Sequence, residues 1–274
     1  MSNEILRFAP LDAAALKVLL CDADGNLFPS EEPAFAASTR VTNRLLADLG
    51  IDRRFEPDEL RALAGGRNFR ATVLDLAAAA GVAIDPAELE RRVVEERREV
   101  VDHLASVLRP DRGVHEPLRE LGRAFALAVV SSSALGRLAA CMSATQLDAL
   151  LPAHMHFSAE DSLPVPTSKP DPAIYAFAGA RLGIEGAEGL AIEDAAAGVR
   201  SAVAAGFPAI GNLQFVAPAE RAGRMAALRD AGAVAIVPSW AHLRELLGAG
   251  ATAPPPEPVL GRHYLSLKAL IRSA

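Results

Sequence analysis

Two aspartates separated by one residue follow a short apolar segment near the start of the chain. Asp22 and Asp24 come directly after Lys17–Cys21, and a glycine and Asn26 follow them. Two carboxylates at one place are unfavourable unless a cation or hydrogen bonds offset their charge. One of them could attack a substrate while the other exchanges a proton. The same motif is also typical of an ordinary turn, because Asp and Gly both favour turns.

Serines and a lysine form the second and third candidate motifs. The apolar segment Phe125–Val130 is followed by Ser131, Ser132 and Ser133. A hydroxyl and a backbone N–H at such a position can bind a phosphate oxygen, although serine is also a favoured helix cap. Lys169 lies between prolines on a constrained turn and is one of only three lysines in the chain. A lone lysine is usually a solvated surface charge, but a lysine on a rigid turn could hold an anion.

A second acidic pair follows another apolar segment. Glu193 and Asp194 come after Leu190–Ile192 and precede a predicted helix. An acidic residue at a helix N-terminus stabilises the helix by itself, so a capping role is the simpler interpretation. The alternative is a site for a hard cation, which prefers oxygen ligands.

The elements that must position these residues are predicted from hydrophobic patterning. Short continuous apolar segments alternate with longer segments of helical spacing, which predicts an α/β fold with a parallel sheet covered on both faces. Ligands bind at the carboxyl ends of the strands in such sheets. The segments are Lys17–Cys21, Phe125–Val130, Met155–Phe157, Leu190–Ile192, Ala209–Ile210 and Val234–Val237.

The stretch from Glu32 to Arg109 interrupts this alternation and contains no convincing strand. A helical block after the first strand indicates a separate cap domain. Its predicted helices are Ala34–Leu49, Pro57–Leu63, Arg70–Ala80 and Pro86–Val107. The predicted domains are a core of residues 1–31 and 110–248, a helical cap of residues 32–109, and a proline-rich linker and C-terminal tail of residues 249–274.

Composition excludes several classes of protein. The 274 residues are 51% hydrophobic and 23% charged with a net charge of -6, which is ordinary for a globular domain. No cluster of Lys and Arg indicates nucleic-acid binding, and no apolar run reaches the length of a transmembrane helix. The N-terminus lacks the pattern of a signal peptide. We therefore expect a cytoplasmic protein with no nucleic-acid, membrane or obligatory protein partner.

The motifs are more specific as an ordered set than singly. Strand-Asp-x-Asp, strand-Ser, Lys-Pro and strand-Glu-Asp, with a helical insertion after the first, resemble the haloacid dehalogenase superfamily of phosphohydrolases. The closest branch is the helical-cap branch typified by β-phosphoglucomutase and phosphoglycolate phosphatase. The resemblance covers nearly all of Lys17–Leu247, and Ser168–Pro172 and Glu193–Val199 resemble the third and fourth motifs. It implies a Rossmann-like parallel-sheet core with an inserted α-helical cap domain.

The resemblance also implies a mechanism and a cofactor. The chain would be a magnesium-dependent phosphomonoester hydrolase acting on a small phosphorylated metabolite through an aspartyl-phosphate intermediate. Asp22 would be the nucleophile and Asp24 the general acid and base. The Mg²⁺ ligands would be Asp22, the backbone carbonyl of Asp24, Asp194, and Glu193 directly or through water. The phosphoryl-binding groups would be Ser131, Ser132 and Lys169.

The cap would close over the strand ends and select the substrate. Arg67, Asn68 and Arg70 follow two glycines, so a tight turn could bring them to an anionic group of the substrate. The simpler interpretation of this segment is a helix junction with solvated arginines.

Departures from the family pattern rank the alternatives. Asn26 stands where the family usually has Thr, which leaves the loop geometry open. Asp24 argues against carbon–halogen cleavage, and the absence of lysine between Lys17 and Lys169 argues against phosphonate cleavage. Phosphosugar mutases carry a histidine at the position of Ala34, so a mutase is the weaker enzymatic alternative. A non-catalytic protein that binds a phosphorylated metabolite is less favoured still, because the motif carboxylates and lysine are retained.

Overall fold

The computed structural model describes residues 4–64 and 68–248. The chain divides into two compact units, which we call the sheet unit and the helical unit. The helical unit is Pro29–Arg109, and the sheet unit contains the described residues before and after it. The predicted linker and tail, residues 249–274, lie outside the described residues. None of the described helices is long and apolar enough to cross a membrane.

The sheet unit is built on a seven-stranded sheet in the order β1-β7-β6-β5-β2-β3-β4. All neighbouring strands pair in parallel except β1, which pairs antiparallel with β7. The prediction of an α/β fold with a parallel sheet is confirmed. The strands are β1 (Leu6–Arg7), β2 (Val18–Cys21), β3 (Ala126–Ser131), β4 (His156–Ser158), β5 (Gly189–Glu193), β6 (Ala209–Asn212) and β7 (Ala235–Val237).

Each predicted apolar segment overlaps one of the parallel strands. Continuous apolar segments are expected for buried strands, and β2, β4, β5, β6 and β7 are buried at every residue. Strand β1 was not predicted, since two residues carry no usable periodicity. The helices of this unit are α5 (Arg112–Leu121), α6 (Leu135–Thr145), α7 (Ala173–Leu182), α8 (Ala196–Ala204), α9 (Arg221–Asp230) and α10 (Trp240–Leu246).

Strand β2 lies between β3 and β5. From β2 the chain first adds β3 and β4 on one side of the sheet, and then β5, β6 and β7 on the other side. Cys21, its last residue, is in register with Val129 of β3 and Ile192 of β5. The chain order reverses at this strand, and ligands bind at such a switch point in open α/β sheets. The residues that follow these three strands are therefore brought to one place.

The helical unit contains the four helices predicted for this stretch. Asp85 begins α4 by accepting a hydrogen bond from the Glu88 backbone N–H at 3.0 Å, with Pro86 at the first helical position. Leu45, Val73 and Leu89 form a buried cluster within the unit. The helices are α1 (Glu31–Asp48), α2 (Pro57–Ala64), α3 (Phe69–Ala79) and α4 (Pro86–Val107).

Substitution of Leu45 tests whether this small core stabilises the protein. Leu45 is fully buried on α1, and Leu74 on α3 is 41% exposed. We expect Leu45→Ala to lower the free energy of unfolding by about 2–5 kcal/mol, because it leaves a cavity. The matched substitution Leu74→Ala should change it by less than about 1 kcal/mol. Urea denaturation of both variants measures the difference, and equal losses would contradict the assignment of Leu45 to the core.

Candidate functional site

Asp22 directly follows β2 and lies at the switch point of the sheet. Its backbone N–H donates to the Ile192 carbonyl at 2.9 Å, which extends the pairing of β2 with β5 by one residue. The side chain is only 11% exposed. A carboxylate in this position has a fixed direction and little hydration, so neighbouring groups must offset its charge.

Lys169 is the cation that contacts Asp22. Its Nζ donates to Asp22 Oδ1 at 2.5 Å, to Glu193 Oε1 at 2.6 Å and to the Val130 carbonyl at 2.7 Å. The three contacts occupy all three hydrogens of the ammonium group. The side chain is 7% exposed, so the lysine is not the solvated surface charge that its sequence context also allowed.

Glu193 is the last residue of β5 and is almost completely buried. Its Oε1 accepts hydrogen bonds from Lys169 and from the hydroxyl of Tyr175. Its Oε2 lies against the backbone of Gly198, where an added Cβ would be 1.8 Å from that oxygen. Glycine is therefore required at residue 198 for the carboxylate to occupy this position.

Asp194 completes a cluster of three buried carboxylates. Carboxylate oxygens of Asp22, Glu193 and Asp194 all lie within 4.8 Å of one another. Arg224 on α9 donates from Nη1 to Asp194 Oδ2 at 3.2 Å and to its backbone carbonyl at 3.0 Å. Gly25 has φ +78°, and a Cβ there would lie 2.6 Å from Asp194 Oδ2. A side chain at residue 25 would be unfavourable for both reasons, because the backbone angle is positive and Asp194 is too close.

Burial shifts the proton affinities of the site residues. Burial raises the pKa of Asp22 well above its usual range; Lys169 lowers it, but the charges of Glu193 and Asp194 raise it further. Burial by itself would lower the pKa of Lys169, but its contacts with Asp22 and Glu193 raise the net value. The contacts with two carboxylates therefore keep Lys169 in its charged form.

The donor set of this cluster suits a metal ion. Three carboxylates converge in a buried place, and hard cations such as Mg²⁺ and Ca²⁺ prefer oxygen ligands. Lys169 pairs with Asp22 and Glu193, and Arg224 pairs with Asp194, so a metal ion would share these carboxylates with two side-chain cations. Glu193 Oε1 already accepts hydrogen bonds from two donors. The cluster is thus one that could hold a metal ion.

Asp24 is held by Ser133, which belongs to the serine motif, and by Arg137, which the sequence analysis did not single out. Its Oδ2 accepts a hydrogen bond from the Ser133 hydroxyl at 2.7 Å, and its Oδ1 pairs with Arg137 Nη2 at 2.6 Å. Arg137 lies in the first turn of α6, where a positive charge is unfavourable for the helix dipole. Its pairing with Asp24 offsets that disadvantage.

The two predicted serines have different surroundings. Ser131 ends β3, is buried, and accepts a hydrogen bond from the Ser133 backbone N–H at 3.1 Å. The Ser132 hydroxyl accepts from the Lys169 backbone N–H at 3.1 Å, so it ties two of the predicted motifs together. Helix α6 has Ala134 as its N-cap residue and no side-chain cap, so neither serine caps it.

Asn26 fixes the turn that carries the two aspartates. Its Nδ2 donates to the carbonyls of Asp22 at 2.9 Å and Ile192 at 3.0 Å. Its Oδ1 accepts from Asn212 Nδ2 at 2.8 Å, and its backbone carbonyl accepts from Trp240 Nε1 at 2.8 Å. The open question of loop geometry is answered here, because asparagine ties the ends of β2 and β5 together.

The predicted cap residues have local roles in the helical unit. Asn68 is the N-cap of α3 and accepts from the Ala71 backbone N–H at 2.9 Å. Arg70 forms a two-pronged ion pair with Glu90, including an Nη2–Oε2 contact of 2.7 Å. Arg67 lies outside the described residues. The helix-junction interpretation accounts for Asn68 and Arg70, and their binding of substrate stays a prediction.

The structure thus brings together Asp22, Lys169, Glu193 and Asp194, which come from three separate motifs. Sequence reasoning missed other residues around them. Among these, Asn212 and Trp240 carry no motif signal, whereas Tyr175 follows the Lys-Pro motif on α7 and could have been noted as the one polar ring there. The missed residues with side-chain contacts in the site are Arg137, Tyr175, Asn212, Arg224 and Trp240.

Comparison with known families identifies the chain. The model of the haloacid dehalogenase-like hydrolase family matches residues 16–206, more than half of the sequence. This chain belongs to that family. The resemblance inferred from the motifs is confirmed, and the matched residues contain all of the clustered carboxylates and Lys169. The family is one of hydrolases.

Solved structures of other proteins match most of this chain. A hydrolase of the family from Deinococcus radiodurans, with bound phosphate and sodium, is 26% identical, with TM-score 0.63 and coverage of 89% of this chain and 100% of that one. CbbY from Rhodobacter sphaeroides, in complex with phosphate, is 23% identical, with TM-score 0.63 and coverage of 83% and 96%. A conserved haloacid dehalogenase-like protein of unknown function from Agrobacterium tumefaciens is 23% identical, with TM-score 0.63 and coverage of 86% and 100%. A search of curated proteins found no match.

Removal of the Asn26 side chain tests its structural role. Asn26→Ala would leave the Asp22 and Ile192 carbonyls and the Asn212 amide without their present partner. We expect the free energy of unfolding to fall by about 3 kcal/mol, since buried polar groups that lose a partner are costly. Chemical denaturation measures this loss, with Asn43→Ala as a comparison for an asparagine only partly buried in the helical unit. An unchanged stability of Asn26→Ala would show that water replaces the amide.

Proposed function

We propose that this protein is a magnesium-dependent phosphomonoester hydrolase that acts on a small phosphorylated metabolite through an aspartyl-phosphate intermediate. The observation that carries the proposal is the convergence of Asp22, Glu193, Asp194 and Lys169 at the carboxyl ends of β2 and β5. Membership of the haloacid dehalogenase-like hydrolase family supports it. A structural relative, CbbY, has been solved with phosphate and, as a variant, with xylulose-(1,5)bisphosphate, which supports a phosphorylated small molecule as substrate.

Charge explains why the residues must act together. A phosphate monoester is anionic, so a carboxylate nucleophile is repelled unless positive charge surrounds the reacting atoms. Lys169 supplies one such charge beside Asp22. Asp22, Asp194, the backbone carbonyl of Asp24, and Glu193 directly or through water would hold Mg²⁺. When bound, Mg²⁺ supplies further positive charge that neutralises the phosphoryl oxygens.

In the first half-reaction, a carboxylate oxygen of Asp22 attacks phosphorus as the bond from phosphorus to the leaving oxygen breaks. Asp24 gives a proton to that oxygen, so an alcohol leaves. Covalent transfer divides one difficult displacement into two easier ones. Burial and the contact with Lys169 hold Asp22 in one direction, which supports its role as the attacking group.

In the second half-reaction, water attacks the phosphorus of the aspartyl phosphate and Asp24 takes its proton. The bond between phosphorus and Asp22 breaks, which releases inorganic phosphate and restores the carboxylate. Ser133 and Arg137 hold Asp24 in a defined direction, as a proton-transferring group requires.

The transferring phosphoryl group needs donors on its oxygens. Ser131, Ser132 and Lys169 are proposed for this role. Since Lys169 has all three hydrogens engaged, it can reach a phosphoryl oxygen only by exchanging one of its present acceptors. The contact with Asp22 is the one expected to be exchanged, because the charge of Asp22 is consumed when it bonds to phosphorus.

Substitution of the nucleophile tests the proposal. Asp22→Asn keeps the shape of the side chain but removes the attacking charge, so phosphate release should fall by at least about 10³-fold. Release is measured from p-nitrophenyl phosphate and a panel of phosphorylated metabolites with Mg²⁺. Asp111→Asn, at the half-buried N-cap of α5 in the same unit, is the matched control and should keep wild-type activity. Release by Asp22→Asn at the wild-type rate would contradict the mechanism, whereas release that requires an added sugar bisphosphate would indicate a mutase.

Metal binding is tested independently of turnover. A ligand that binds only the native state at 100 times its dissociation constant stabilises a protein by about 2.7 kcal/mol. We expect Mg²⁺ to raise the melting temperature of the wild type, and Asp194→Asn to remove most of that increase. Sodium chloride at matched ionic strength controls for screening. If Mg²⁺ raises the melting temperature of the wild type and of Asp194→Asn equally, the ion does not bind at Asp194.

A further inference from the structure

We propose that Tyr175 is a positioning residue whose hydroxyl fixes Glu193 and, through it, Lys169 in the geometry needed for phosphoryl transfer. This inference rests on the proposed function and assigns a role to a residue outside the four motifs. Tyr175 lies on α7, six residues after Lys169, and its side chain is fully buried.

The tyrosine contacts both members of the Lys169–Glu193 pair. Its hydroxyl donates a hydrogen bond to Glu193 Oε1, the oxygen that also accepts from Lys169 Nζ at 2.6 Å. Its ring lies beneath the ammonium group, with Nζ 5.2 Å from the ring centroid. The hydroxyl acts on the carboxylate and the ring on the cation, so one side chain constrains both charges.

The position of Glu193 is set from two sides. Tyr175 and Lys169 fix Oε1, and the backbone of Gly198 limits the movement of Oε2. Without the hydroxyl, Oε1 would keep the lysine as its donor, and the carboxylate could follow the lysine as it moves. With the hydroxyl, Glu193 is a fixed acceptor against which Lys169 is aligned between Asp22 and β3.

A tyrosine is not needed here for packing alone. Phenylalanine would fill the volume of the ring without burying a hydroxyl, and a buried hydroxyl is unfavourable unless it is hydrogen-bonded. The neighbours of Tyr175 in the core are apolar residues such as Ile174 and Ala178. The hydroxyl therefore serves the one charged contact that it makes, with Glu193.

Tyr175→Phe tests the role of the hydroxyl with little change in shape. With p-nitrophenyl phosphate and saturating Mg²⁺, we expect kcat to fall about tenfold, which corresponds to one hydrogen bond to a charged group. KM should change less than about twofold, because the alignment of Lys169 matters most in the transition state. The inhibition constant of orthovanadate, which mimics that state, should rise about tenfold, while that of inorganic phosphate stays within about twofold.

Thr145→Val is the matched control for removal of a buried hydroxyl. Thr145 Oγ1 donates to the Cys141 carbonyl at 2.7 Å within α6 and has no contact with the carboxylate cluster. Its loss should lower the melting temperature by an amount similar to that in Tyr175→Phe but leave kcat and vanadate inhibition unchanged. Equal kinetic effects of the two substitutions would show a general loss of stability and overturn the inference.

A double-mutant cycle tests whether Tyr175 acts through Glu193. In a Glu193→Ala background the hydroxyl has lost that acceptor, so Tyr175→Phe should change kcat less than about twofold. A tenfold effect that persists in this background, or wild-type kinetics of Tyr175→Phe alone, would overturn the inference. Asp22→Asn distinguishes failure of this inference from failure of the proposed function. If Asp22→Asn is active, Asp22 is not the nucleophile and the proposed function is wrong. If Asp22→Asn is inactive and Tyr175→Phe is unaffected, only the role of the tyrosine is wrong.

Discussion

The contact between Lys169 and two buried carboxylates is the interaction on which the candidate site depends. Asp22 follows β2 and Glu193 is the last residue of the adjacent strand β5, so the sheet brings two like charges together. Burial would neutralise them by proton uptake if no cation were present. Lys169 opposes this for the pair that it contacts, because it lowers the pKa of Asp22, and the three converging carboxylates are oxygen ligands that suit a divalent cation.

A layer of neutral contacts makes that electrostatic arrangement possible. Carboxylates can approach one another only where the backbone leaves room, and Gly25 and Gly198 provide it beside Asp194 and Glu193. Asn26 then links the ends of β2 and β5 by bonding to a carbonyl of each. The site is consequently a property of the strand ends and not of flexible side chains that converge on a ligand, as preorganised catalysis requires.

The sequence predicted the parallel sheet and the helices of the insertion because both depend on local patterns. Continuous apolar segments and proline- or glycine-bounded helices are readable within a window of ten to twenty residues. The clustering of the motif residues was also predictable, since strand ends share one edge. The partners of Asp24 and Glu193 were not, because Arg137 and Tyr175 lie on helices whose rotation about their axes is set by core packing. Asn26 was treated as a departure from a pattern, whereas it makes three side-chain hydrogen bonds that a threonine could not all reproduce.

The hydrogen bonds described for the charged groups come from the sheet unit. Lys169 is held by β2, β3 and β5, Glu193 by α7, Asp194 by α9, and Asp24 by α6. The helical unit has its own core and its own ion pairs, such as Arg44 with Glu95. Sequence change within Pro29–Arg109 can therefore leave these hydrogen bonds intact. The phosphoryl transfer that we propose would thus depend on residues of the sheet unit that position the reacting charges.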